Sequence, residues 1–139
     1  MSEFVELVVP GVPEYLSLVR LNTGSIATRM ELTLDELEDL QLAVEELCLS
    51  VLGHSGAGAL AGRLHVRVEW GNDAVEVRCR LEATSARAAD APPPDAGGLP
   101  ESLSRQILDA LVDEHGVALD GGTTVAWLRK RRERALPAR

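Results

Sequence analysis

Two hydrophobic periodicities divide the chain, one of two residues and one of three to four. Phe4 to Val9 is rich in residues that favour strands and runs into Pro10-Gly11-Val12-Pro13, which predicts a strand followed by a turn. A helix is predicted to begin at Pro13 or Glu14 and to end near Ala27, because the next apolar residues keep roughly helical spacing.

The clearest local signal is a helix-capping box. Thr33 and Glu36 stand three residues apart, so the hydroxyl and the carboxylate can each accept a hydrogen bond from an otherwise unpaired amide at a helix start. The apolar residues that follow recur at helical spacing and predict a buried stripe on a helix that Gly53 ends. These residues are Leu37, Leu40, Val44, Leu47, Cys48 and Val51. Residues 55–62, rich in Gly and Ala, predict a flexible connection.

Strict alternation marks the middle of the chain. Apolar and polar residues alternate from Leu64 to Trp70 and, after Gly71-Asn72-Asp73, again from Val75 to Leu81. This pattern predicts an antiparallel hairpin with one solvated face. Residues 83–100, by contrast, contain almost no large apolar side chain and include three consecutive prolines, which predicts a mobile, lid-like loop.

The last third of the chain predicts a short amphipathic helix and a second hairpin. Gly116 is expected to end the helix, and a short strand is predicted over Val117 to Leu119. A turn at Gly121-Gly122 then leads into a last strand over Thr123 to Leu128. The apolar residues of the predicted helix are Leu103, Ile107, Leu108, Leu111 and Val112.

This order of elements predicts an α+β two-layer sandwich. Helices that cover one face of a mostly antiparallel sheet are the economical packing for it. The 139 residues, 45% of them hydrophobic, suffice for one compact core, so we expect a single domain over 1–139 with three helices on one face of the sheet. The residues expected to meet in that core are Leu47, Cys48, Val51, Val66, Val68, Val77, Cys79 and Leu81.

Charge narrows the classes of partner. A net charge of -8 argues against nucleic-acid binding, because phosphates need a basic face, and favours a protein partner with a basic or mixed surface. The basic residues from Arg129 to Arg134 are expected in a solvated tail that covers 130–139. Neither a secretion signal nor a run of about 18 apolar residues is present, so we expect a cytoplasmic protein that does not span the membrane.

Cysteine and histidine residues show no metal-binding pattern. Cys48 and Cys79 lie inside apolar periodic segments and are expected as reduced core residues. The three histidines are scattered without ligand spacing.

Several segments nevertheless carry a family resemblance over nearly the whole chain. They are Val5-Glu6-Leu7 leading to Pro13-Glu14-Tyr15, Leu18-Val19-Arg20, the run from Asp39 to Cys48, and Gly122-Thr123-Thr124-Val125. With these segments the chain resembles the RsbW-type anti-sigma factors, which are serine kinases of the GHKL superfamily. The resemblance implies the Bergerat ATP-binding fold of the histidine kinase-like ATPases.

In that family the second helix bears a Glu and, four residues on, an Asn on the same helical face. The Glu orients or deprotonates the attacking hydroxyl, and the Asn carbonyl holds magnesium. Glu46 matches the Glu, so the resemblance implies a catalytic role for it in an active enzyme. Ser50 stands at the Asn position and is the implied nucleotide and magnesium contact, with a shorter side chain.

The other family motifs match unevenly. The family has an Asp-x-Gly-x-Gly after the middle hairpin that recognises adenine, whereas residues 80–86 contain no Asp-x-Gly. Gly97 and Gly98 match two glycines of the family's phosphate-binding loop. Pro100 follows closely and lacks the backbone N–H that could bind a phosphate there. Thr123 and Thr124 match the closing element. These residues form the implied, degenerate ATP site.

The resemblance implies a regulator that binds a sigma factor, an anti-anti-sigma protein with a STAS domain, or both. Because the ATP motifs are altered, we expect ATP and magnesium to bind weakly or not at all. Two alternatives stay open: an active ATP-dependent serine kinase that phosphorylates the anti-anti-sigma protein, and an unrelated α/β interaction domain. Family members commonly dimerise, so a homodimer is also implied.

Overall fold

The computed structural model describes residues 3–54, 62–83, 101–121 and 123–133. Within these residues the chain forms three α-helices on a five-stranded sheet. The elements are β1 (Glu3–Pro10), a 3-10 turn (Pro13–Tyr15), α1 (Leu16–Arg29), α2 (Leu34–His54), β2 (Gly62–Trp70), β3 (Ala74–Ala83), α3 (Glu101–Leu111), β4 (Glu114–Asp120) and β5 (Thr123–Arg131). The strand order is β1-β2-β3-β5-β4, and every neighbouring pair is antiparallel. The predicted α+β class with a mostly antiparallel sheet is confirmed.

The core lies between α2 and the central strands. Helix α2 packs on β3 and β5, while α1 and α3 pack on α2. Strand side chains alternate between this buried face and an open face, as the period of two requires. All but one of the residues predicted to meet in the core are buried, and the exception, Leu81, is half-buried and packs against the same cluster.

The predicted capping box begins α2. The amide of Glu36 donates to Oγ1 of Thr33 over 3.1 Å, and the amide of Thr33 donates to Oε1 of Glu36 over 2.8 Å. Two amides that the helix itself cannot satisfy are thereby paired. The carboxylate of Glu36 is buried, so these bonds are largely shielded from water.

The prediction for Gly116 was wrong. Helix α3 ends at Leu111, and Gly116 lies inside β4, directly opposite Trp127 of β5. A Cβ at this glycine would approach the Trp127 ring to 3.2 Å, so the absence of a side chain lets the indole lie across the strand. Close approach, rather than helix termination, explains the glycine here.

The basic segment was also misplaced. Arg129, Lys130 and Arg131 belong to β5 instead of a solvated tail, and 134–139 lie outside the described residues. Hydrogen bonds join this strand to the residues at the end of α3. The amide of Arg131 donates to Oδ2 of Asp113 over 2.6 Å, and Nζ of Lys130 donates to the carbonyl of Leu111.

One boundary differs less. Helix α1 continues to Arg29, two residues beyond the predicted end at Ala27, and the chain leaves it through Glu31, whose φ is 59°.

The predicted lid-like loop lies outside the described residues apart from Ala83, the last residue of β3. No helix in the described parts of the chain combines the length and apolar character that crossing a membrane requires.

Candidate functional site

Glu46 lies in the middle of α2 and bonds to the neighbouring helix α3. Oγ of Ser104, in the first turn of α3, donates to Oε2 of Glu46 over 2.6 Å. Ser104 is only 7% exposed, and Glu46 is half-buried. The carboxylate expected to face a substrate hydroxyl therefore already accepts a hydroxyl of the chain itself.

Ser50 lies one helical turn beyond Glu46 and is half-buried. Helical geometry places residues four apart on one face, so the structure keeps the side-by-side arrangement that the spacing predicts. Magnesium prefers carboxylate and carbonyl oxygens, whereas Ser50 offers only a neutral hydroxyl. Within the described ranges, no three His, Cys, Asp or Glu side chains converge as a metal site. The short hydroxyl of Ser50 is therefore a weaker candidate ligand for magnesium than the Asn carbonyl of the family.

The end of β3 offers no carboxylate toward the helices. Leu81 packs against the core, so the next residue, Glu82, lies on the opposite, open face of the sheet. There its Oε2 is 3.5 Å from Nε2 of His65. Because of this strand register, Glu82 cannot replace the Asp that recognises adenine in the resembling family.

Strand register also separates the two threonines of β5. Thr124 is exposed and lies on the same face as buried Ala126 and Leu128, which is the face that the helices cover. Thr123 lies on the opposite face and is half-buried. Only Thr124 is therefore on the side of the sheet that carries Glu46. Gly97 and Gly98 lie outside the described residues.

Sequence reasoning missed Ser104, which is 58 positions from its partner, and it also missed the polar contacts between α1 and α2. Arg20 donates to Oε1 of Glu45 over 2.7 Å, and Nε2 of Gln41 donates to the carbonyl of Arg20 over 3.1 Å. The side chain of Arg20 is 50% exposed, so the ion pair lies at the surface. The helical spacing of Gln41 and Glu45 was a usable signal, but only the fold identifies their partner.

Comparison with known proteins identifies the relatives of this chain. A sequence model described as the histidine kinase-like ATPase domain matches residues 9–130. The chain is 31% identical to the serine-protein kinase RsbW of Bacillus subtilis over 137 residues, which cover 92% of this chain and 86% of the relative. It is 30% identical to the RsbW of Bacillus velezensis over 91% of this chain and 85% of the relative. The alternative of an α/β domain unrelated to these proteins is wrong.

A solved structure supports the fold assignment. The crystal structure of the RsbU and RsbW domains of a Mycobacterium tuberculosis protein matches 99% of this chain with a TM-score of 0.63 at 16% identity. The match covers 34% of that longer chain, and at 16% identity the likeness concerns the fold alone. Family match, relatives and fold together lead to one conclusion: the chain belongs to the histidine kinase-like ATPase domain family and is an RsbW relative.

Proposed function

We propose that this chain is an anti-sigma-type regulator that acts by binding a protein partner, with ATP binding weak or lost. One observation carries the proposal: the fold and core of the ATPase family are present, while some of the positions that the resemblance assigns to nucleotide binding are altered. Ser104 bonds to Glu46, a serine replaces the metal-holding Asn at position 50, and the nearest carboxylate on β3, Glu82, lies on the open face. Such a chain keeps a surface for recognition and loses groups for chemistry.

The proposed partner is a sigma factor, an anti-anti-sigma protein with a STAS domain, or both, in the cytoplasm. Curated relatives carry the name serine-protein kinase RsbW, and the family role extends from them to this chain as part of the proposal. The net charge of -8 favours a partner with a basic or mixed surface over nucleic acid. A homodimer is a second assembly to test.

Exposed leucines on the helical layer support a protein partner. Leu18 and Leu21 of α1 are 46% and 70% exposed, and Leu42 of α2 is 55% exposed. Arg20 and Glu45 form an ion pair across the same two helices. Exposed apolar side chains with charged groups on the same helices are candidates for a protein–protein contact surface.

A substitution on this surface tests the proposal. Leu21→Glu should weaken binding of a sigma factor or STAS protein by tenfold or more, because a charge would be buried at the contact. A tenfold loss of affinity is a loss of about 1.4 kcal/mol in binding free energy. Leu34→Glu is the matched control, because Leu34 is 71% exposed at the start of α2. Affinity capture with quantitative mass spectrometry supports the proposal if sigma factor or STAS protein is lost only with Leu21→Glu. Capture of neither class contradicts it.

An active serine kinase is the second candidate function. The observation that favours it is the retained Glu46 carboxylate, which lies half-buried in the middle of α2 at the position of the family's Glu. Incubation of the chain with a STAS-domain protein, magnesium and γ-labelled ATP tests this alternative. Label transfer that disappears with Glu46→Ala would favour the kinase, and no transfer at any enzyme concentration would favour the regulator.

A further inference from the structure

The contact between Ser104 and Glu46 joins two helices at the carboxylate that matches the family's Glu. Ser104 belongs to the first turn of α3, the helix that follows the glycine-containing segment at 97–98. Glu46 belongs to the middle of α2, which packs on the sheet. Their hydrogen bond of 2.6 Å therefore connects the start of a peripheral helix to the central one.

Because Ser104 is buried, its hydrogen bond to Glu46 is expected to contribute more to stability than a hydrogen bond at the surface. Ser104 is buried at 7% exposure, and a polar group that loses its partner in such a place is left without water. Bonds from a hydroxyl to a charged carboxylate are also stronger than those between neutral groups. Leu108, one turn further along α3, and Val112, just beyond its last residue, are buried and hold the other end of the helix.

We propose that Ser104 is a positioning residue that fastens the first turn of α3 to α2 through Glu46, and so holds this helix in place without a nucleotide. The inference rests on the proposed function only in taking Glu46 to mark the nucleotide site. Its consequence is that the packing of α3 on α2 does not depend on a bound nucleotide or partner.

A double-mutant cycle in nucleotide-free and partner-free protein tests the proposal. Ser104→Thr keeps the hydroxyl and adds a methyl group, whereas Ser104→Val has the shape of threonine without the hydroxyl. Comparison of the two variants therefore isolates the hydrogen bond from the added methyl group. Both are measured with Glu46 intact and with Glu46→Ala. The readout is amide hydrogen exchange of residues 105–111 in the body of α3.

With Glu46 intact, the Val variant should exchange roughly tenfold or more faster than the Thr variant, because the first turn of α3 opens more readily. In the Glu46→Ala background the two should exchange alike. Equal rates with Glu46 intact, or a difference that persists after Glu46→Ala, would overturn the proposal. If neither larger residue folds, Ser104→Ala in the same cycle gives the answer: its effect must vanish with Glu46→Ala.

Exposed Ser102 supplies a control on the same helix. Ser102→Ala should leave the exchange of α3 within about twofold of wild type, since the residue is exposed. Failure of the proposed function would be visible separately, as tight ATP binding in a calorimetric titration. Neither ATP nor partner enters the exchange cycle, so the two results are independent.

Discussion

The backbone amide of Glu133 donates to Oε2 of Glu36 over 2.6 Å, across 97 positions of sequence. The same carboxylate accepts the amide of Thr33 through its other oxygen. Glu36 therefore caps α2 and also holds the chain just beyond the end of β5. One buried carboxylate ties the central helix to the last strand of the described fold.

Removal of this carboxylate should destabilise the fold by more than the loss of a typical helix cap. Glu36→Ala is expected to lower the free energy of unfolding by about 2 kcal/mol, since charged hydrogen bonds at a buried position are lost. Glu38→Ala is the control, because Glu38 is exposed one turn into the same helix. Urea denaturation of both variants measures the effect. Equal stabilities of the two variants would contradict the role assigned to Glu36.

The stability contributed by Glu36 should depend on pH. Burial acts to raise the pKa of Glu36, but hydrogen bonds from Glu133 and Thr33 and the charge of Lys130 outweigh it and hold the pKa below its ordinary value of 4.5. A carboxyl group whose pKa is lower in the folded state stabilises the fold above the unfolded pKa and loses this effect as pH falls through the folded pKa. The stability gap between wild type and Glu36→Gln should therefore be constant near neutral pH and narrow below pH 4.5. If the difference in stability between wild type and Glu36→Gln stayed constant down to about pH 3, the predicted pH dependence of the Glu36 contribution would be wrong.

The two cysteines should resist thiol reagents until the protein unfolds. The thiol of Cys79 donates to Sγ of Cys48 over 3.6 Å, and both side chains are fully buried. That hydrogen bond, together with burial and the nearby Cys48, raises the pKa of Cys79 well above its ordinary value. The reactive thiolate is thus scarce in the native protein. Labelling with a colorimetric disulfide reagent should be roughly a hundredfold slower in buffer than in denaturant, and comparable rates would refute this prediction.

Much of the fold could be predicted because its signals are local. The alternation on either side of Gly71 fixed the central hairpin, and Thr33 with Glu36 marked the start of α2, since a strand face and a helix cap each involve neighbours in sequence. The prediction for Gly116 was wrong because a glycine is typical both of helix ends and of places where another group packs closely on the backbone. Only the pairing of Gly116 with Trp127 in the sheet distinguishes the two.

The site was harder to predict than the fold. The family resemblance identified Glu46 and Ser50, and their spacing of four residues places them on one helical face. It gave no indication of Ser104, since the α2–α3 packing that brings the two together depends on tertiary structure. Glu82 shows the same limit, because its side of the sheet follows from the pairing of β3 with β2 and β5.

Titration of the purified chain with ATP in the presence of magnesium tests the central claim most directly. Residues 80–86 contain no Asp-x-Gly, and the loss of an adenine-binding Asp is expected to cost roughly 1 to 3 kcal/mol, or about tenfold to a hundredfold in affinity. The shorter Ser50 side chain at the Asn position is expected to weaken metal binding further. Isothermal titration should therefore detect weak binding or none, while partner binding continues without nucleotide. A dissociation constant in the low micromolar range, on the order of -8 kcal/mol, with partner phosphorylation abolished by Glu46→Ala, would contradict the account and identify an active kinase.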